Sequence, residues 1–268
     1  MILIPMKKWC GKRLQSFSAR RAATIPLNRY MDILCVRRVT ILQNVAKECL
    51  LNNRPANLPA DKVVSSAGGS IAQEPRGRIG IYSGTFDPVH AGHIAFALQA
   101  ASAAKLDRVL LMPERSPRHK PEVTHYAHRV AMIRHATRPH EQLAALESED
   151  RIFSTVRTLP RLQQQFPGAT LVYVCGSDVL TYMASWPHIS QLLETVELCV
   201  GIRSNETRAS VERTIEQLPV VPRATVIIDS YFADASSSEI RQAIREQTFA
   251  HGLLRSVVAY AKQAWLYL

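Results

Sequence analysis

From residue 79 onward, short runs that are apolar at nearly every position alternate with longer stretches in which apolar residues return every three or four places. The first kind fits strands buried on both faces, and the second fits helices lying against them. The strand runs are RIGIYSG, DRVLLMP, ATLVYVCG, VELCVGI and ATVIID, with Gly84, Pro113 and Gly176 closing the first three. The helices are AGHIAFALQAASAAKL, HYAHRVAMIRHAT, a segment over 154–165, pieces across 178–194, ETRASVERTIEQL, SSSEIRQAIREQ and a last segment at about 252–265. Pro160 conflicts with the third of these and predicts a kink there. The stretch 141–151 carries no clear period. Strands alternating with helices in this way predict an α/β domain, a Rossmann-like, doubly wound and mostly parallel sheet with helices on both faces. Ligands in such sheets bind outside the carboxyl ends of the strands, where strand order reverses.

Upstream of residue 79 the alternation stops. A helix over roughly 33–51 fits the spacing of its apolar residues, and 52–78, rich in Pro, Gly, Ser and Asn, reads as linker. Charge divides at the same place. The whole chain of 268 residues carries a formal +11, but residues 1–78 hold 14 Lys and Arg against Asp32, Glu48, Asp61 and Glu74. The remaining 190 residues are close to neutral, so no global positive field draws a polyanion to the body. These shifts predict a basic N-terminal extension and linker, 1–78, ahead of a domain at 79–268. The extension fits an organellar presequence, a nucleic-acid-binding arm, or residues ahead of the true start. An apolar content of 47% supplies a core. Cys10, Cys35, Cys49, Cys175 and Cys199 are odd in number and form no CxxC pair, which fits a reducing compartment and argues against a disulfide framework or a thiolate zinc site. No apolar run reaches the length of a membrane span. The body is therefore expected in the cytoplasm, with organellar targeting by the extension left open.

The chemistry concentrates in GTFDPVHAGH, 84–93, between the first strand and the first helix. Gly84 lets the chain turn beneath a ligand, Pro88 stiffens the turn, and Gly92 allows close approach at the helix start. Exposed amides at that helix terminus favour a phosphate, to which Thr85 adds a hydroxyl. His90 and His93 can donate to phosphate oxygens, both nitrogens if protonated and one each if neutral. A metal site is the weaker reading, because HxxH here lacks the glutamate and third ligand of the helical zinc pattern. Asp87 reads as a turn residue before Pro88. Far downstream, ASSSEIR offers Ser236 or Ser237 as a helix cap, Ser238 and Glu239 in the first turn, and Arg241 where a cation gains nothing from the helix dipole. An anion shared between Arg241 and the serine end of the helix accounts for that placement.

TFDPVHAGH, including Phe86, resembles the HxGH signature of the nucleotidylyltransferase superfamily, and SSSEIR at 236–241 resembles its second signature. The resemblance implies that His90 and His93 steady nucleoside triphosphate phosphates and that Ser237, Ser238 and Arg241 hold the β- and γ-phosphates. Gly84, Thr85, Phe86, Gly92, Gly176 and Asp178 complete the implied nucleotide-binding set. PERSPRHKPEV resembles the Pro-Pro-His-Lys loop of the nicotinate (nicotinamide) mononucleotide adenylyltransferase family, with Arg118 in place of the second proline, and implies that Lys120 reaches the phosphates. The segment from Gly176 and Asp178 to Trp186 resembles that family's adenosine and pyridine-ring region, and Arg203 and the closing VVAYAKQAWLY match further family positions. RIFSTVRTL matches the acceptor-binding segment at Thr155, Thr158 and Leu159 but departs at Phe153, Ser154 and Arg157, where an expected Asp is reversed in charge.

The resemblance, covering about 79–267, implies an enzyme that uses ATP with Mg²⁺, adenylates nicotinate mononucleotide and releases pyrophosphate, forming deamido-NAD. Thr155, Trp186 and Arg203 are then the acceptor-binding residues; no residue is named as a metal ligand, although Asp178 could cap its helix, accept from ribose hydroxyls or help hold Mg²⁺. Sister activities with nicotinamide mononucleotide, phosphopantetheine or CTP remain open at this point. So does an inactive protein whose basic extension binds nucleic acid or an anionic surface.

Overall fold

The computed structural model describes residues 77–117, 120, 122–203, 206–229 and 235–268. The helix expected at 33–51, all of the linker but its last two residues, Arg118, and the cysteines at 10, 35 and 49 lie outside the described residues.

Six strands, β1 (Arg78–Gly84), β2 (Arg108–Pro113), β3 (Leu143–Ala145), β4 (Thr170–Gly176), β5 (Glu197–Ile202) and β6 (Thr225–Asp229), form one sheet in the order β3-β2-β1-β4-β5-β6. Every adjacent pair is parallel. The helices are α1 (Ala91–Ala103), α2 (Tyr126–Thr137), α3 (Thr158–Gln165), α4 (Ser177–Met183), α5 (Ile189–Thr195), α6 (Arg208–Glu216), α7 (Ser237–Glu246) and α8 (Arg255–Gln263).

Side chains along each strand alternate between two cores. Leu110 and Met112, Leu171, Tyr173 and Cys175, and Leu198 and Val200 face a layer that includes Leu159, Leu162, Leu180, Met183, Leu192 and Leu193 from α3, α4 and α5. Val109 and Leu111, Val172 and Val174, and Cys199 face the opposite layer, built from Ile94, Ala97 and Ala100 of α1, Met132 and Ile133 of α2, and Val257 of α8. A two-residue period on strands that are apolar throughout requires this double burial. The alanines on α1 keep that helix close to the sheet.

Two expectations need correction. The featureless stretch 141–151 contains β3, a three-residue edge strand, LAA, paired with Val109–Leu111. Too short to show a period, it is defined by its neighbour. Pro160 does not kink a helix over 154–165, because α3 begins at Thr158. Pro160 therefore falls in the first turn, where the amide it lacks has no intrahelical acceptor.

Strand order reverses between β1 and β4. The loop leaving β1 and the start of α4 after β4 flank the crevice that this reversal opens.

Candidate active site

A cavity of about 700 Å³ lies at the carboxyl ends of β1, β4 and β5. One wall is the β1 loop and the start of α1, with Thr85, Asp87, His90, Gly92 and His93. Opposite stands the start of α7, with Ser236, Ser237, Ser238 and Arg241. Lys120, Glu122 and Val123 close a third side, and Tyr82, Phe96, Gly176, Gly201 and Arg203 complete the lining. Phe96 packs against Gly201, where any Cβ would overlap its ring. Tyr82 meets both Phe86 and Phe96 edge-on at 5.2 Å between ring centroids.

His90 is the N-cap of α1, with extended backbone, and His93 is the third helical residue. The His90 N–H donates to His93 Nδ1 at 3.2 Å, so a histidine takes the place that glutamate usually holds in a capping box. Accepting that bond leaves Nδ1 unprotonated, and the neutral ring must carry its proton on Nε2. The two imidazoles stack with centroids 3.7 Å apart and planes at 32°. Burial, with Arg203 nearby, pulls His90 down to about pKa 4. Burial, the neighbouring His90 and the cations Arg203 and Lys120 hold His93 well below the usual imidazole range. Both rings are neutral near pH 7, and the positive charge facing the cavity comes from Lys120, Arg203 and Arg241.

Holding His90 neutral makes stability depend on pH. The unfolded chain protonates its histidines near pH 6.5, while folded His90 stays neutral to about pH 4. Between those values the unfolded state binds more protons, so stability falls as pH falls, by roughly 3 kcal/mol for His90 over the full window. Urea midpoints recorded from pH 6.5 down to 5, above most carboxylate titration, should decline in the ligand-free protein and decline less in His90→Gln. Equal slopes would show that His90 is not held neutral.

At the opposite wall, Ser236 Oγ accepts from the Ser238 N–H at 3.3 Å, capping α7. Ser237 Oγ donates to the Pro88 carbonyl at 3.0 Å. Arg241 Nη1 donates to the Asp87 carbonyl at 2.6 Å and Nη2 to Ser238 Oγ at 3.2 Å. The serine-arginine end of α7 is thus bonded to the histidine loop, and both face one cavity.

Of the residues singled out from the sequence, Thr85, His90, Gly92, His93, Lys120, Gly176, Arg203, Ser237, Ser238 and Arg241 line this cavity. The others stand apart. Gly84 ends β1 under the Phe86 ring. Phe86 is 1% exposed and packs against His93 at 5.0 Å, supporting that ring from behind. Asp178 is exposed and accepts from Arg203 Nε at 3.3 Å. Thr155 is buried. Trp186, half-buried, sits edge-on to Tyr173 with centroids 5.8 Å apart.

Arg157 is paired within its own segment. Its Nε pairs with Asp150 Oδ1 at 3.3 Å. Asp150 Oδ2 accepts from Thr158 Oγ1 at 2.7 Å and from Arg161 Nη1 at 3.2 Å. That buried carboxylate is shared between Arg157 and Arg161, and Arg161 also lies 3.8 Å from Glu149.

Sequence reasoning passed over Tyr82, Phe96, Glu122, Val123, Gly201 and Ala235 of the lining, and treated Asp87 only as a turn residue and Ser236 only as a candidate helix cap. It also passed over Arg129, fully buried on α2. A charged residue inside the apolar stripe of that helix was the available signal.

Residues 81–243 match the cytidylyltransferase-like family model. A probable nicotinate-nucleotide adenylyltransferase of Solibacter usitatus is 32% identical over 196 residues, covering 71% of this chain and 99% of that one. One of the same description from a Synechococcus species is 34% identical over 199 residues, covering 71% and 95%. The Plasmodium falciparum nicotinic acid mononucleotide adenylyltransferase, solved in complex with NaAD, superposes with a TM-score of 0.59 at 18% identity, over 71% of this chain and 97% of that one. The site geometry and these similarities agree: the chain belongs to the cytidylyltransferase-like family and, within it, to the nicotinate-nucleotide adenylyltransferases.

Proposed function

We propose that the chain transfers the adenylyl group of ATP to nicotinate mononucleotide, releasing pyrophosphate and forming deamido-NAD. The observation that carries this reading is the single cavity shared by the histidine pair and the serine-arginine end of α7. Its donors are hydroxyls, neutral imidazoles and cations, a set suited to a triphosphate.

The triphosphate lies between the β1 loop and α7. His93 donates through Nε2–H and His90 through its cavity-side N–H. Ser237, Ser238 and Arg241 take the outer phosphates, and Lys120 adds a point charge from its loop. The acceptor's phosphate attacks the α-phosphorus in line with the departing pyrophosphate, on which negative charge grows. A phosphate dianion is already a nucleophile, so the protein supplies no general base. Its contribution is to align two anions and neutralise the leaving group.

Magnesium enters with ATP as part of the substrate. Among the described residues no group of three or more His, Cys, Asp and Glu is placed to hold a metal ion. Carried in with the nucleotide, the ion would be held by its phosphate oxygens, whose charge it would partly neutralise. Arg203, which lines the cavity, is assigned to the acceptor together with Thr155 and Trp186, which stand outside its lining. No helix among the described residues is long and apolar enough to cross a membrane. The catalytic unit is assigned to residues 79–268 and to the cytoplasm.

The deciding measurement is pyrophosphate release from ATP or CTP paired with nicotinate mononucleotide, nicotinamide mononucleotide or phosphopantetheine. ATP with nicotinate mononucleotide should give the highest kcat/KM. A higher value for any other pair would overturn the substrate assignment.

A further inference from the structure

Arg129 is the largest side chain with no solvent exposure among the described residues. It sits on the face of α2 that also carries Val130, Met132 and Ile133, where an apolar residue would be expected. Its guanidinium donates from Nε to the Thr124 carbonyl at 2.8 Å, from Nη1 to Thr85 at 2.8 Å and from Nη2 to Arg115 at 3.3 Å. Thr85 belongs to the histidine loop. Arg115 and Thr124 are the two feet of the loop that carries Lys120.

Asp87 provides a second set of ties to the same segments. Its Oδ2 accepts from the Thr124 N–H at 3.1 Å, and its Oδ1 accepts from the Tyr267 hydroxyl at 2.5 Å. Thr124 is therefore held at its amide by Asp87 and at its carbonyl by Arg129. Asp87 also offers its own carbonyl to Arg241. A guanidinium removed from water is costly, and an apolar side chain of similar volume would fill the space at lower cost. What the cation supplies that an apolar residue cannot is three directed bonds to carbonyls of separate loops. The Asp87 carboxylate, close enough to favour the charged guanidinium, offsets part of the burial.

We propose that Arg129 and Asp87, braced from the far side by Tyr267, form a positioning device that sets the Lys120 loop against the histidine loop for adenylyl transfer. The device touches no reacting atom. It acts through Lys120, which lines the cavity, and so it rests on the role given to Lys120 above.

The test is a double-mutant cycle on kcat for pyrophosphate release, with thermal unfolding recorded for each variant. Lys120→Ala and Arg129→Lys should each lower kcat by about 10²-fold, the second through misplacement alone. Arg129→Lys keeps the charge but cannot reach three carbonyls. Combined, the two should lose no more than the worse single variant, because a displaced loop has already forfeited its lysine. Tyr267→Phe is the milder probe, expected to cost roughly tenfold and to be silent in the Lys120→Ala background. If Arg129→Lys does not fold, the Tyr267→Phe cycle decides by the same criterion. Losses that multiply, or unchanged kcat in a folded Arg129→Lys protein, would overturn the positioning role and leave Lys120 its own. A Lys120→Ala protein with normal kcat would instead defeat the role of Lys120, and the device with it.

Discussion

Replacing His93 by alanine should lower kcat for pyrophosphate release by roughly 10²–10³-fold, the scale of losing one donor aimed at charge that grows in the transition state. The substitution removes two things at once. Nδ1 accepts the His90 N–H and so completes the N-terminal cap of α1. Nε2–H is what remains for the phosphate. His93→Asn separates them, since its side-chain oxygen can take the place of Nδ1 while nothing reaches the position of Nε2. The asparagine protein should keep most of the wild-type thermal stability, lose activity as severely as alanine, and show its loss in kcat more than in KM for ATP. If His93→Asn turns over near the wild-type rate, the histidine is a cap and the phosphate role is wrong.

Arg241→Ala should be comparably severe, about 10²–10³-fold in kcat/KM, because it removes a charge-assisted donor from the outer phosphates. It also releases a tether, since the same guanidinium bonds the Asp87 carbonyl and Ser238 Oγ. Lysine at this position should restore only a small part of the rate. A single ammonium supplies charge but cannot serve both oxygens in the plane of a fork. Steady-state kinetics with ATP varied at saturating acceptor would decide the matter. Equal activity in Arg241→Lys and wild type would mean that charge suffices and the fork is incidental.

Some of this was open to a reader of the chain alone. β1, β2, β4 and β5 are apolar at almost every position, and a strand buried on both faces can look no other way. Glycine, proline and histidine packed into GTFDPVHAGH marked the turn from β1 to α1 as chemical, and serines before Arg241 marked the start of α7 likewise. These are local signals, carried by residues adjacent in sequence.

The tertiary structure decided what adjacency cannot express. β3 exists because Val109–Leu111 offer it an edge, and Pro160 is harmless because its helix starts late. The protonation of the histidines follows from the stacking of their rings, their burial and a backbone amide on Nδ1, all properties of the packed site. Arg157 reverses the expected charge, and only the fold brings it and Arg161 onto the one carboxylate of Asp150. Asp87 passed for a turn residue until folding brought Thr124, Arg241 and Tyr267 to it from three separate segments. Periodicity and short motifs record what each segment is made of. Which segments share a charge, a proton or a carbonyl is settled only when the sheet order places their ends together, because those interactions depend on distances of a few ångströms across the fold.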